Sequence, residues 1–312
     1  MGYKDIVKEH NEYCGVTAWH EKGFTGKGIT VWNCEKTTSD HGIQSFKRVL
    51  DSAPDANVIA GTISMTVAKG GKEVTKCGVF DDNGNYHEIN DWITKNNVKI
   101  ITCSLYNMFK DTGTTEGDFW KSLIDKYGLI IVNCAGNDGN KNFDFSKKIA
   151  WYVGALIFDK NHKPTRAGYS STGEGIDFAD FAGWNAGTSF SAPYFAGKCA
   201  LVLQRYPNMT PKQVYEYMKF CSLDLGDIGE DNKYGWGLPI LSQLVLEKDG
   251  GENMKLTTFD DVPEGAWYEK AVEFCLENGY MNGMSEKLFE PNSPLTRAQM
   301  AQVLYNIFNK EE

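Results

Sequence analysis

No apolar run in this 312-residue chain approaches the ~20 residues that a membrane-spanning helix needs. The opening, Met1-Gly2-Tyr3-Lys4-Asp5-Ile6-Val7-Lys8-Glu9-His10, holds no apolar stretch of secretory-signal length. As written, the chain is therefore expected in the cytoplasm, and in the cell envelope only if it is exported or released by another route. Clustered lysine and arginine are also missing. The formal charge is −9 and the pI near 5.2, which argues against a nucleic-acid surface. Eight cysteines include no C-x-x-C pair, so zinc-ribbon and thioredoxin-like motifs have no support, and reduced, buried thiols are expected. Asp81-Asp82-Asn83-Gly84 and the acidic stretch Asp227–Asp231 lack a regularly spaced ligand array and read as solvated turns. Neither a metal nor a cofactor is expected, and no repeat of solenoid period is present.

What is present is enough to bury a large core: 41% of residues are hydrophobic and 23% charged. Strand-like runs at Ile29–Cys34, Asn57–Gly61, Val98–Leu105, Leu129–Cys134 and Ala150–Leu156 alternate with helical patterns at Ile43–Leu50, Glu88–Asn96 and Glu116–Tyr127. Ser189–Arg205 and Pro211–Cys221 are helical as well. Strands alternating with helices predict an α/β domain, a parallel sheet with helices on both faces. The pattern stops near Leu246 at a polar, glycine-containing stretch. The expected division is a domain over 1–247, a linker over 248–254 and a small unit over 255–312.

Gly187-Thr188-Ser189-Phe190-Ser191-Ala192-Pro193 leads from a glycine into a helical pattern, which puts Ser189 at a helix N-terminus and Pro193 in the first turn. There the helix dipole and unpaired N–H groups favour the negative charge that acyl transfer develops beside its nucleophile. Taken alone, such a serine reads as an N-cap. A base would come from the five histidines, and His41, in Ser39-Asp40-His41-Gly42, follows a strand end and opens a helix. That places it at the sheet's carboxyl edge, where α/β enzymes build their sites. In Ile131-Val132-Asn133-Cys134-Ala135-Gly136-Asn137-Asp138-Gly139, Ala135 and Gly136 let a substrate backbone come close and the Asn137 amide can donate to an oxyanion. The same segment also reads as an ordinary turn.

In order and local sequence these segments resemble the subtilisin family of serine endopeptidases. Gly187–Pro193 resembles its nucleophile motif, Asn133–Gly139 its oxyanion-asparagine motif and His41-Gly42 its base motif. Phe24–Val31, Ala53–Ala56, Lys99–Leu105 and Lys233–Leu238 follow in register. The resemblance covers about residues 13 to 246. It implies a serine endopeptidase without cofactor or metal, acting on a peptide or protein substrate, with Ser189 as nucleophile, His41 as general base and then acid, and Asn137 as oxyanion donor. Thr188 would support the oxyanion side. Counting from Gly26-Lys27-Gly28, the family's aspartate falls on Glu35, with Asp40 the alternative and Asn33 sharing the face of Glu35. The resemblance further puts an edge strand that pairs with extended substrate at Ser104-Leu105-Tyr106, with Ala135, Gly136 and Asn137 across the specificity pocket. Two other readings stay open: a peptide-binding protein that kept the fold and lost turnover, and an envelope-attachment protein.

Phe259-Asp260-Asp261-Val262, Trp267-Tyr268, Phe289-Glu290-Pro291 and Leu295-Thr296-Arg297-Ala298-Gln299 resemble an S-layer homology module. In that family such modules bind cell-wall polysaccharide. The resemblance implies a mainly helical module with wall-polymer contact at Thr296 and Arg297, where a guanidinium at a helix start favours an anionic group. The other reading is that Thr296 only caps the helix.

Overall fold

The computed structural model describes all residues except Met1, 68–73, 106–108, 110–114, 140, 147, 185, 242–258, 264, 278–279, 282, 285–286 and 309–312. The chain divides into two units, Met1–Gln243 and Leu244–Glu312, and the expected linker over 248–254 lies outside the described residues.

Along the first unit run α1 (Tyr3–Tyr13), α2 (Val16–Glu21), β1 (Thr30–Asn33), α3 (Asp40–Ser52), β2 (Asn57–Val67), β3 (Val74–Asp81), β4 (Tyr86–Glu88) and α4 (Ile89–Asn96). Then follow β5 (Val98–Cys103), α5 (Thr115–Tyr127), β6 (Ile130–Cys134), β7 (Asn142–Asp144), β8 (Trp151–Phe158), β9 (Pro164–Arg166), β10 (Thr172–Glu174) and β11 (Phe178–Phe181). Helices α6 (Thr188–Arg205) and α7 (Pro211–Phe220) and the short pair β12 (Ser222–Leu223) and β13 (Leu238–Pro239) complete it.

The main sheet has the order β11-β8-β6-β5-β1-β2-β3-β4, and the pairs from β11 through β2 are parallel. Alternation along the strands gives the sheet two buried faces. Trp32, Ile101 and Ile131 pack with Trp92 and Ile93 of α4 and Trp120 and Leu123 of α5. On the opposite face lie α3 and α6. Every residue of α6 from Thr188 to Leu203 is buried, which an amphipathic surface helix could not tolerate. Two side chains of α3 fix the helix pair: Ser52 Oγ donates to the Tyr194 carbonyl at 2.8 Å, and Arg48 donates to the Phe190 and Phe181 carbonyls at 3.4 and 2.9 Å.

The parallel α/β core thus agrees with the sequence pattern, and all eight cysteines are free thiols, six of them buried. Three features differ from it. First, β2 continues to Val67 and turns into the antiparallel strands β3 and β4, so one end of the sheet is antiparallel. Second, the N-terminal lead-in forms α1 and α2, and His10 is buried against Phe181. Third, Pro193 lies beyond the first turn, as the sixth residue of α6. Its missing N–H frees the carbonyl of Ser189, four residues back, and Ser104 Oγ donates to that oxygen at 2.9 Å.

The second unit carries α8 (Glu269–Glu277) and α9 (Arg297–Phe308). The Asp261 carboxylate accepts from the backbone N–H groups of Phe289 and Glu290 at 2.9 and 2.7 Å, and these bonds hold its carboxyl below the usual range. Thr296 and Gln299 form a reciprocal capping box at the start of α9. The Thr296 hydroxyl is therefore engaged as a cap, and the side chain of Arg297 lies outside the described residues. Among the described residues no helix is long and apolar enough to cross a membrane.

Candidate active site

At the carboxyl end of β1 the chain runs through Glu35 and a short loop into α3, and the loop brings a carboxylate against an imidazole. His41 Nδ1 lies 2.9 Å from Glu35 Oε1 and 2.8 Å from Oε2. A carboxylate only accepts, so Nδ1 is the donor of this pair, and Nε2 is the ring nitrogen that Glu35 leaves free. Glu35 is mostly covered, whereas the His41 side chain is 44% exposed. Asp40, the alternative carboxylate, is exposed at the first position of α3.

The local sequence explains this geometry. Ser39 caps α3, its hydroxyl accepting from Gly42 N–H at 3.0 Å. A Cβ on Gly42 would fall 2.0 Å from the Lys36 carbonyl, so the loop can fold back over the first turn only where a side chain is absent. Asn33, fully buried at the end of β1, donates to the Glu35 carbonyl at 3.4 Å and accepts from Ser45 Oγ at 2.9 Å. Ser45 Oγ lies 3.2 Å from Ser104 Oγ, whose own donation reaches the Ser189 carbonyl. A line of polar side chains therefore joins the Glu35 segment to the start of α6.

Ser189 is the second residue of α6 and 7% exposed. Gly187 before it has φ +146°, a conformation that favours glycine, and permits the abrupt entry into the helix. Thr188 Oγ1 accepts from Gly136 N–H at 3.0 Å and donates to Asn137 Oδ1 at 3.1 Å, and Thr188 N–H donates to the same oxygen at 2.8 Å. With its carbonyl so occupied, the Asn137 side chain has its amide Nδ2 left to donate, close to Gly187. Ala135 is fully buried and Asn137 exposed. The His41 ring lies 5.1 Å from the ring of Phe190, the residue after Ser189. No hydrogen bond joins His41 to Ser189 Oγ in the structure. Catalytic hydrogen bonds are often long without substrate and tighten when it binds.

One substrate-side expectation changes. Ser104 and Leu105 are not on an edge strand, because β5 runs between β1 and β6; they follow its end, where pairing has stopped. Leu105 is 41% exposed there, while the Ser104 side chain turns toward α6. Tyr106 lies outside the described residues. Ser45 and Arg48 went unnoticed in the sequence: they lie on a helix that reads as amphipathic, and their partners are distant in the chain.

Residues 49–237 match the subtilase family, and residues 258–301 the S-layer homology domain. The chain belongs to the subtilase family. Among curated proteins it is 27% identical over 257 residues to the thermostable alkaline protease of Halalkalibacterium halodurans, covering 70% of this chain and 68% of that one. To the minor extracellular protease Epr of Bacillus subtilis it is 29% identical over 164 residues, covering 47% of this chain and only 24% of that relative. Among solved structures, a lanthipeptide protease superposes with TM-score 0.54 at 16% identity, covering 76% of this chain and 95% of the other. MycP1 from the ESX-1 type VII secretion system gives 0.54 at 20% identity, covering 79% and 88%. These structures share the subtilase fold. Its sheet, with α6 beneath, sets Glu35, His41, Asn137 and Ser189 around one end of the strands.

Proposed function

We propose that this subtilase hydrolyses peptide bonds through an acyl-enzyme on Ser189, with residues 1–247 as the peptidase unit. Ser189 Oγ attacks the scissile carbonyl carbon while His41 Nε2 takes the hydroxyl proton, and the resulting imidazolium gives a proton to the departing amine. Water, activated by the same imidazole, then releases the acid. Glu35 accepts the Nδ1–H throughout, fixing the tautomer and stabilising the imidazolium. Its extra methylene relative to the family's aspartate is accommodated by the short loop to His41. Asn137 Nδ2 and the first-turn N–H of Ser189 donate to the tetrahedral oxyanion, with Thr188 aiming the amide. An extended peptide would lie along Ser104 and Leu105, with Tyr106 continuing that segment and Ala135 and Gly136 across the side-chain pocket.

The observation that carries this reading is the Glu35–His41 pair at 2.8 Å, at the same end of the sheet as an asparagine whose carbonyl is tied to the residue before Ser189. Its test is labelling with a fluorophosphonate probe. Wild-type protein should be modified at Ser189, and His41→Ala should not. Absence of labelling in the wild type, with peptide still bound, would move the reading to a binding protein of this fold.

For residues 255–312 we propose association with cell-wall polysaccharide, and hence a place at the cell surface, on the strength of the S-layer homology match at 258–301. Thr296 serves as the cap of α9, which leaves Arg297 as the residue to contact an anionic group. Sedimentation with purified cell wall tests this, and protein left in the supernatant would remove it.

A further inference from the structure

The loop that brings Glu35 to His41 folds over the first turn of α3 on one side, but at Thr37 its other side is open. A groove of about 590 Å³ opens beside it, lined by Thr37, by Ile43, Phe46 and Lys47 of α3, by Val58 and Ala60 of β2, and by Asp82. Packing therefore does not fix the loop on that side. Asp82, in the turn between β3 and β4, spans the gap with both carboxylate oxygens: Thr37 N–H donates to Oδ1 at 2.8 Å, and the Thr37 hydroxyl donates to Oδ2. Next to it, Lys36 Nζ stands 5.8 Å from the ring centroid of Phe80 in β3.

The rest of the turn is braced by hydrogen bonds. Asp81 accepts from the N–H groups of Asn83 and Asn85 at 3.0 and 2.8 Å and pairs with His87 Nε2 at 2.9 Å, and its carboxyl is held at about 2 by these bonds, chiefly by His87. A braced turn on the antiparallel end of the sheet thus grips the middle of the segment that runs from the acid to the base.

We propose that Asp82 is a positioning residue of this peptidase: its two hydrogen bonds to Thr37 hold the Glu35–His41 loop at the register where carboxylate and imidazole meet. This rests on the function proposed above. Without the clamp the loop settles into the groove, and Glu35 and His41 separate by an ångström or so. Misplacement on that scale costs about ten- to a hundredfold in rate.

The test uses full-length protein and three readouts: kcat and KM on a peptide substrate, the pH profile of kcat/KM, and the low-field proton resonance of His41 Nδ1–H in a Ser189→Ala background. Asp82→Ala should lower kcat by about ten- to a hundredfold with KM little changed, move the acid limb of the profile, and abolish the low-field resonance. Asp82→Asn keeps an acceptor for Thr37 N–H and an amide donor for the Thr37 hydroxyl, so it should recover most of the loss and the resonance. A kcat, acid limb and resonance in Asp82→Ala equal to wild type would overturn the proposal, as would an Asp82→Asn protein as impaired as Asp82→Ala. Should Asp82→Ala fail to fold, Thr37→Val, which deletes only the hydroxyl bond, must show the same changes in reduced size, and a wild-type profile in it overturns the clamp. The resonance needs no turnover. If the Ser189→Ala protein with Asp82 intact shows it and wild-type protein still fails to label at Ser189, the peptidase reading falls, while Asp82→Ala in the same background still decides the clamp.

Discussion

Acid should destabilise this protein through one histidine behind the site. His10 of α1 is 5% exposed, stacks on Phe181 at 4.2 Å with rings 6° from parallel, and has no partner for Nδ1. Burial above all, with the charges of Arg48 and Lys198, pushes its pKa down from 6.5 to about 3. The unfolded chain, with an ordinary imidazole, then binds more protons than the folded one between those two pH values. Stability from this group is complete above pH 6.5 and is lost as pH falls toward 3, by about 1.4 kcal/mol per pH unit. That comes to about 2 kcal/mol at pH 5 and about 4 to 5 kcal/mol at pH 3. His10→Phe keeps a ring against Phe181 and removes the proton site. Urea unfolding of both proteins from pH 7.5 to pH 4.5, followed by fluorescence of the buried Trp19 and Trp32, measures the difference. The gap between variant and wild type should widen in favour of the variant by about 2 kcal/mol between pH 7 and pH 5. Parallel stability curves would refute the reasoning, because they would mean that folding leaves the proton affinity of His10 unchanged.

Glu35→Gln should reduce kcat by about four orders of magnitude with Tm nearly unchanged, since an amide favours the wrong imidazole tautomer; steady-state kinetics and calorimetry on one preparation check both halves. Asn137→Leu should lower kcat by about 10² to 10³ with a small effect on KM, as expected for a donor that acts on the oxyanion, and a change confined to KM would reassign it to ground-state binding. Lys198, fully buried, lies 2.5 Å from the equally buried Asp180 and donates to the Pro239 carbonyl at 2.9 Å. Lys198→Met should cost about 3 to 5 kcal/mol by leaving a buried carboxylate without its counter-charge, and adding Asp180→Leu should recover part of that loss in thermal unfolding.

The sequence by itself determined the parallel core, because a strand buried on both faces must be largely apolar and a run such as Ile130-Ile131-Val132 reads so without its neighbours. It also singled out Ser189, Asn137 and His41 as candidates, since a turn at the end of a strand or the start of a helix is written in a few adjacent small and capping residues. Glu35 was reachable only by counting along a family pattern. Tertiary structure decided the rest, for one physical reason: a polar group whose partner is far along the chain leaves no local pattern. His10 and Asn11 interrupt the apolar stripe of α1, yet they are buried because Phe181, Tyr194 and Asp51 receive them. The antiparallel strands depend on partners along the sheet, β3 on β2 and β4 on β3, rather than on their own composition. Arg48 reads as a surface charge on α3, and only the approach of α6 turns it into a buried donor to the carbonyl of Phe190, one residue after Ser189.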